Sequence, residues 1–266
     1  MHHRNIGRDM LIISTGPLGS AIFSILLIFI VSWNFPPEIL GALAILELVA
    51  LLFTMAFALG LDQAYAREYS AAQDKLVLFA SAMRVPVASA AAAAIALAGI
   101  FSIVGFRPLP AAGDIGTFVA LGYGVGALII RMLSITLRMK GVPYEFAASQ
   151  IAQRAATVVV LTLFLLLSTD RSLLAVMTCY LAGTLISVSL HLFFCRAEAS
   201  YAVVSRADRP LFRSLLKFGI PAATAAILYA LLSSADRISL AALGNNRDLG
   251  IYAVALSIAG SVNIFT

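Results

Sequence analysis

Long, unbroken apolar runs are the feature that most constrains the fold of this sequence. Seven of them lie at about 10–33, 39–61, 76–104, 116–139, 148–167, 172–194 and 215–243, and an eighth begins near residue 249. A helix needs about 20 apolar residues to cross the hydrocarbon core, whereas a barrel strand needs about ten residues of alternating polarity. Because backbone groups in hydrocarbon must pair inside their own segment, the runs predict an all-α, polytopic membrane protein.

Composition excludes the soluble classes of protein. Hydrophobic residues make up 61% of the 266 residues and charged residues 12%, and the mean hydropathy is +0.98. A soluble domain is about half apolar and a quarter charged. The net charge of +5 could indicate a nucleic-acid ligand. The basic residues, however, lie in short segments between apolar runs, which indicates membrane lipid and no nucleic acid as the partner.

The positions of Lys and Arg predict the orientation of the chain. With the N-terminus in the cytoplasm, thirteen of the 18 basic residues fall in cytoplasmic segments or in the cytoplasmic parts of the adjoining spans, and three (Arg107, Arg171 and Arg247) fall in outer turns. Cytoplasmic loops carry the excess of Lys and Arg in membrane proteins. We therefore expect a multi-pass protein of the bacterial cytoplasmic membrane with a cytoplasmic N-terminus.

The stretch 213–256 repeats the order of features found near the N-terminus: a basic start, a proline, a helix, a polar turn and a glycine-led helix. Gly41 corresponds to Gly250 and Ala44 to Ala253, both at an offset of 209 residues. Internal repeats of this kind are typical of membrane transporters. The repeat predicts a six-helix lobe over 1–194, a cytoplasmic linker over 195–214 and the start of a second lobe over 215–266. The second repeat stops after about one and a half helices, so we expect the N-terminal part of a longer protein. The alternatives are a short protein that dimerises and a non-functional remnant.

Three groups of residues form motifs that can be compared with known membrane proteins. The first group is Phe218-Gly219-Ile220-Pro221 with Ser234-Ala235-Asp236-Arg237-Ile238 and Leu249-Gly250-Ile251-Tyr252-Ala253-Val254-Ala255. The second is Leu59-Gly60-Leu61-Asp62-Gln63-Ala64 with Arg67-Glu68. The third runs from Arg138 to Ile151. Together they resemble the polysaccharide transporter family, which contains the O-antigen and exopolysaccharide flippases of the multidrug/oligosaccharidyl-lipid/polysaccharide exporter superfamily.

The resemblance implies a function and an architecture. Two six-helix lobes would form a V around a central polar cavity that takes up an undecaprenyl-pyrophosphate-linked oligosaccharide from the cytoplasm and releases it outside. A proton or sodium gradient would drive the return, with no other cofactor. The partners would be the lipid-linked oligosaccharide, membrane lipid and the polysaccharide polymerase machinery.

Charged residues inside the predicted spans are costly to insert, so they are the candidates for lining such a cavity. They are Arg131, Arg237, Asp236, Glu47, Arg84 and Arg154. Arginine suits a pyrophosphate because its planar fork donates several hydrogen bonds and stays charged. Glu47 is a candidate for proton or cation coupling, and its alternative role is a hydrogen bond to a neighbouring helix.

Each arginine also has a simpler interpretation. Arg131 lies about two turns from the cytoplasmic surface and could snorkel to it. Arg237 and Asp236 could form an ion pair or cap near the outer surface, although helical neighbours point about 100° apart and need not pair with each other. Arg84 and Arg154 fit interface anchors of the cytoplasmic side.

Other functions are less well supported by the sequence. No nucleophile with its base, phosphate loop or zinc pattern occurs, so we expect a protein that is not an enzyme. A membrane glycosyltransferase or polymerase would need a large polar outer loop, and every predicted outer loop is short. A drug or metabolite antiporter of the same superfamily is the main alternative, and it would need a cavity dominated by acids.

Overall fold

The computed structural model describes residues 6–104, 112–205, 208–244 and 246–262 as a bundle of helices. In chain order these are α1 (Ile6–Asn34), α2 (Pro37–Ala58), α3 (Leu61–Glu68), α4 (Lys75–Val104), α5 (Gly113–Lys140), α6 (Pro143–Leu167), α7 (Leu173–Phe194), α8 (Arg196–Val204), α9 (Arg209–Ser233), α10 (Ala235–Ala242) and α11 (Asn246–Val262). Seven of them (α1, α2, α4, α5, α6, α7 and α9) are long and apolar enough to cross a membrane. The predicted fold class is confirmed: the described residues contain helices and no strands.

Two consecutive left-handed residues end the second span earlier than the predicted residue 61. Leu59 has φ 51° and Gly60 has φ 65°, so α2 ends at Ala58 and the chain turns into α3. Gly60 also lies against α9, where a Cβ would come within 2.1 Å of the Gly219 carbonyl oxygen. A side chain at position 60 is therefore disfavoured by the backbone conformation and excluded by the neighbouring helix.

The predicted seventh span, 215–243, is two helices in the structure. Ser234 has φ −117° and ψ 8°, outside the helical region, and separates α9 from α10. Its side chain is fully buried, and its Oγ accepts a hydrogen bond from Nη2 of Arg237 at 2.8 Å. The apolar pattern is continuous through this point, so periodicity alone could not show the break.

The start of α9 is also earlier than predicted, at Arg209 instead of residue 215. The Asp208 carboxylate accepts a hydrogen bond from the Leu211 backbone N–H at 3.3 Å, as an N-cap does, and Pro210 occupies the first turn. Both residues are preferred at helix starts. The segment predicted as a linker, 195–214, accordingly contains α8 and the first turn and a half of α9.

The helices pack around α2 and α5. The α1 helix lies on α6, α6 on α7, and α7 on α5; α4 contacts α5 and α8, α9 contacts α3 and α2, and α11 lies along α2. Buried apolar residues form two clusters, one built on α1, α2, α5, α6 and α7 and the other on α2 to α5 with α9. The outward faces keep large apolar side chains exposed, such as Trp33, Ile103 and Leu167, each 87% exposed. Such faces suit a hydrocarbon environment.

Candidate substrate cavity

A cavity of about 550 Å³ lies between α2, α5 and α6, and α3 and α10 each contribute one residue to its wall. Its volume is in the range of ligand-binding clefts. The polar and aromatic residues of the described lining are Glu47, Thr54, Asp62, Tyr123, Arg131, Ser134, Arg138, Phe146, Gln150, Gln153, Arg154 and Arg237. Four of the six residues predicted from the sequence (Glu47, Arg131, Arg154 and Arg237) are therefore brought together in one place.

Arg131 pairs with Asp62 at the end of the cavity formed by α3. The guanidinium Nη2 lies 2.6 Å from Asp62 Oδ2, and Nε donates to the same oxygen at 2.8 Å. The Asp62 side chain is 2% exposed and that of Arg131 34%. A buried carboxylate needs such a partner, because an isolated charge in a low-dielectric site is strongly unfavourable. Asp62 was absent from the predicted candidates because it fell at the predicted end of a span.

Glu47 pairs with Arg154 across α2 and α6. The carboxylate Oε1 lies 3.5 Å from Nη1 of the guanidinium, and the two side chains are 43% and 34% exposed. The rings of Tyr123 and Tyr180 lie next to each other, with centroids 6.3 Å apart. Glu47 and Arg154 also line a second, smaller cavity of about 130 Å³ between α1, α2 and α11, so the ion pair lies between the two spaces.

Arg138 and Arg237 have no carboxylate within salt-bridge distance among the described residues. Arg237 donates from Nη2 to Ser234, while its Nε is buried and has no hydrogen-bond partner in the described part of the chain. The hydroxyl of Thr54 is likewise buried without a partner there. Buried polar atoms are nearly always hydrogen-bonded, so these two atoms mark places where a polar ligand would fit.

Asp236 and Arg84 lie outside this cavity. Asp236 accepts hydrogen bonds from the Tyr252 hydroxyl and, at 2.8 Å, from the backbone N–H of Arg237. The two neighbouring side chains therefore have different partners, as the helical geometry predicts. Arg84 donates to the Ser205 carbonyl oxygen and lines a groove between α4 and α9.

A hydrogen-bonded chain leads from the cavity to a buried histidine. Gln150 Nε2 donates to Ser134 Oγ at 3.3 Å, and Ser134 Oγ lies 3.0 Å from Nε2 of His191. His191 Nδ1 lies 2.8 Å from the Ser187 carbonyl oxygen. A carbonyl can only accept, so Nδ1 carries a proton, and in the neutral imidazole Nε2 then accepts from Ser134. The sequence indicated no role for His191, because the residues that meet it lie on other helices or one turn away.

No group of three or more His, Cys, Asp or Glu able to hold a metal ion occurs in the ranges that the structure describes. The cavity is defined instead by its arginines: the described lining contains four arginines and two carboxylates, a formal excess of two positive charges.

The fold and this cavity define a polytopic helical membrane protein with a charged internal site. No protein-family model matches the sequence, and no curated protein matches it. A solved structure, the outward-facing conformation of a multidrug resistance MATE family transporter of the MOP superfamily, has the same fold, with a TM-score of 0.55 and 15% sequence identity. The match covers 97% of this chain and 64% of the other, so the chain spans just under two thirds of that transporter's length.

Proposed function

We propose that this protein belongs to a membrane transporter that flips a lipid-linked, undecaprenyl-pyrophosphate oligosaccharide across the cytoplasmic membrane for surface polysaccharide synthesis. The observation that carries the proposal is the arginine excess of the cavity between α2, α5 and α6. The two acids are each matched by an arginine, at 2.6 Å for Asp62 and 3.5 Å for Glu47. Arg138 and Arg237 have no such carboxylate among the described residues and are suited to bind an anion.

Arginines without a carboxylate partner suit a pyrophosphate group for physical reasons. Arginine presents several donors in a rigid plane and stays charged at any physiological pH. Hydrogen bonds in which a partner is charged are about twice as strong as those between neutral groups. Thr54, Gln150, Gln153 and Tyr123 add neutral polar groups of the kind that bind sugar hydroxyls.

The alternative is an ion-coupled multidrug or metabolite antiporter of the same superfamily. The solved transporter with this fold is described as a multidrug resistance protein. An antiporter for cationic drugs would need acids that are free to bind the cation, whereas Asp62 and Glu47 are both paired. The charge of the cavity therefore favours the anionic cargo.

The test is the pool of undecaprenyl-linked oligosaccharide in the native host with and without the gene. We expect the lipid-linked units to accumulate on the cytoplasmic side of the deletion strain and surface polymer to fall. Complementation by Arg138→Gln or Arg237→Gln should be poor. Arg247→Gln removes an exposed arginine outside the cavity and should complement fully.

Two results would decide against this function. An unchanged lipid-linked pool together with unchanged surface polymer in the deletion strain would exclude the flippase. If sensitivity to toxic cations rises at the same time, the antiporter becomes the better explanation. Equal complementation by the cavity variants and the control would remove the arginines from the mechanism.

A further inference from the structure

A second basic site lies between α4 and α9, separate from the central cavity. The groove has a volume of about 1100 Å³. Its α4 side consists of Arg84, Val85, Ala88 and Ser89, and its α9 side of Arg209, Phe212, Arg213 and Leu216. Each set follows the three-to-four-residue spacing of one helix face, so the groove is built from two helical stripes.

Two hydrogen bonds set the level at which the stripes meet. The Asp208 backbone N–H donates to Ser81 Oγ at 3.2 Å, and Arg84 donates to the Ser205 carbonyl oxygen. Both contacts join the first three turns of α4 to the chain just before α9. Arg84 therefore lies level with the start of α9.

Charge and apolarity are separated along the groove. Arg84 and Arg209 begin the two stripes, and Arg213 follows one turn later. Beyond them the walls are mainly apolar. The apolar part extends along α9 to Leu216, which lies seven residues after Arg209, or about 10 Å along the helix axis. The groove is thus basic where α9 begins and mainly apolar further along α9, which is the polarity of one lipid molecule.

The three arginines are exposed, and no carboxylate lies within salt-bridge distance of them in the described residues. Asp208, which directly precedes Arg209, accepts the helix-capping hydrogen bond from Leu211. Clustered arginines between membrane helices at the bilayer surface attract anionic headgroups. Phe212 and Leu216 provide apolar contacts for acyl chains.

We propose that this groove binds one anionic phospholipid of the bilayer, with its phosphate at Arg84, Arg209 and Arg213 and its acyl chains along α4 and α9. The site would hold the start of α9 against α4 through the lipid as well as through Ser81. It does not depend on the function proposed for the central cavity.

The experiment measures lipid binding to the purified full chain in detergent by native mass spectrometry. Phosphatidylglycerol and phosphatidylcholine with the same acyl chains are titrated separately. We expect phosphatidylglycerol to bind roughly a hundredfold more tightly, on the basis of a few-fold gain for each arginine near the headgroup. The triple variant R84Q/R209Q/R213Q should lose that preference.

Two further variants control for charge and folding. The triple variant R196Q/K217Q/R247Q removes the same charge from exposed positions outside the groove and should keep the preference. The triple Arg→Lys variant of the groove keeps the charge and should keep most of the preference, which separates charge recognition from misfolding.

The outcomes of this lipid-binding experiment are distinct from those of the complementation test for the central cavity. Equal binding of the two lipids to the wild-type chain, or an equal loss of preference in the control triple variant, would overturn the proposal. Full competition by inorganic phosphate would show a small-anion site and would also overturn it. Preferential binding of undecaprenyl phosphate over phosphatidylglycerol would identify the cargo lipid, and not a bilayer phospholipid, as the occupant.

Discussion

Gly41 on α2 and Gly250 on α11 face each other at a helix crossing where neither position has room for a side chain. A Cβ on Gly41 would lie 2.0 Å from the Asn246 carbonyl oxygen, and one on Gly250 would lie 2.0 Å from the Pro37 carbonyl oxygen. The two glycines are 209 residues apart, and so are Pro37 and Asn246. Equivalent positions of the repeat thus contact each other reciprocally, as residues do around a two-fold axis.

Methyl groups at this crossing should separate the two helices. We expect Gly41→Ala and Gly250→Ala each to cost about 3 kcal/mol or more, because the added Cβ meets backbone that cannot rotate away. Gly99→Ala is the matched control, since a Cβ there has nothing within 4 Å and alanine is the better helix former. Thermal unfolding in detergent measures the difference. Equal unfolding temperatures for the three variants would show that α2 and α11 do not cross at these glycines.

The Asp62–Arg131 pair predicts an asymmetric response to substitution. Arg131→Gln leaves a carboxylate that is 2% exposed without its partner, whereas Asp62→Asn leaves a guanidinium that is 34% exposed and can recruit water. Removing one partner of a buried pair costs about 3–5 kcal/mol. We expect Arg131→Gln to approach that cost and Asp62→Asn to cost less.

A double-mutant cycle tests this pair directly. The variant carrying both substitutions should be more stable than Arg131→Gln alone, because no buried carboxylate then remains unpaired. Unfolding free energies in detergent provide the measurement. Additive effects of the two substitutions would mean that the side chains do not interact.

Anion binding to the purified chain should depend on the two arginines without carboxylate partners. Inorganic pyrophosphate is the probe, measured by titration calorimetry. We expect Arg138→Gln and Arg237→Gln each to weaken binding by about tenfold to a hundredfold, the loss of a charge-assisted hydrogen bond. Arg247→Gln should leave the affinity unchanged. Binding that is equally strong in all three variants would place the anion elsewhere.

The thiol of Cys195 should be unreactive in the folded protein. Burial, with a smaller contribution from the Glu198 carboxylate, raises the pKa of Cys195 to about 12 from its ordinary value of 9.0. The protonated thiol is therefore the form present below pH 12, and the nucleophilic thiolate is scarce at pH 8. Maleimide labelling of a Cys179→Ser variant at pH 8 should succeed only after unfolding.

An exposed thiol supplies the comparison for that experiment. Ser200 is exposed on α8, and a Ser200→Cys substitution in a cysteine-free background should react within minutes under the same conditions. Rapid native labelling of Cys195 would show that α8 opens away from α4 and α5.

Much of the candidate site was accessible from sequence, because charge inside an apolar run is visible without a structure. Glu47, Arg131, Arg154 and Arg237 were found in that way and line one cavity. Asp62 was not, because it follows residue 61, the predicted end of the second span. Its contact with Arg131 joins residues 69 positions apart, which only packing could bring together.

The sequence by itself determined the membrane class and the succession of spans, because bilayer thickness acts on each apolar run locally. It also contains the repeat at an offset of 209 residues. Tertiary structure alone decided that α2 ends at Ala58, that α9 stops before Ser234 and that Gly41 meets Gly250. The turn at Gly60 and the contact of the two glycines depend on how closely separate helices approach one another, as where the Gly219 carbonyl oxygen leaves no room for a side chain at Gly60. A local apolar pattern contains no information about that distance.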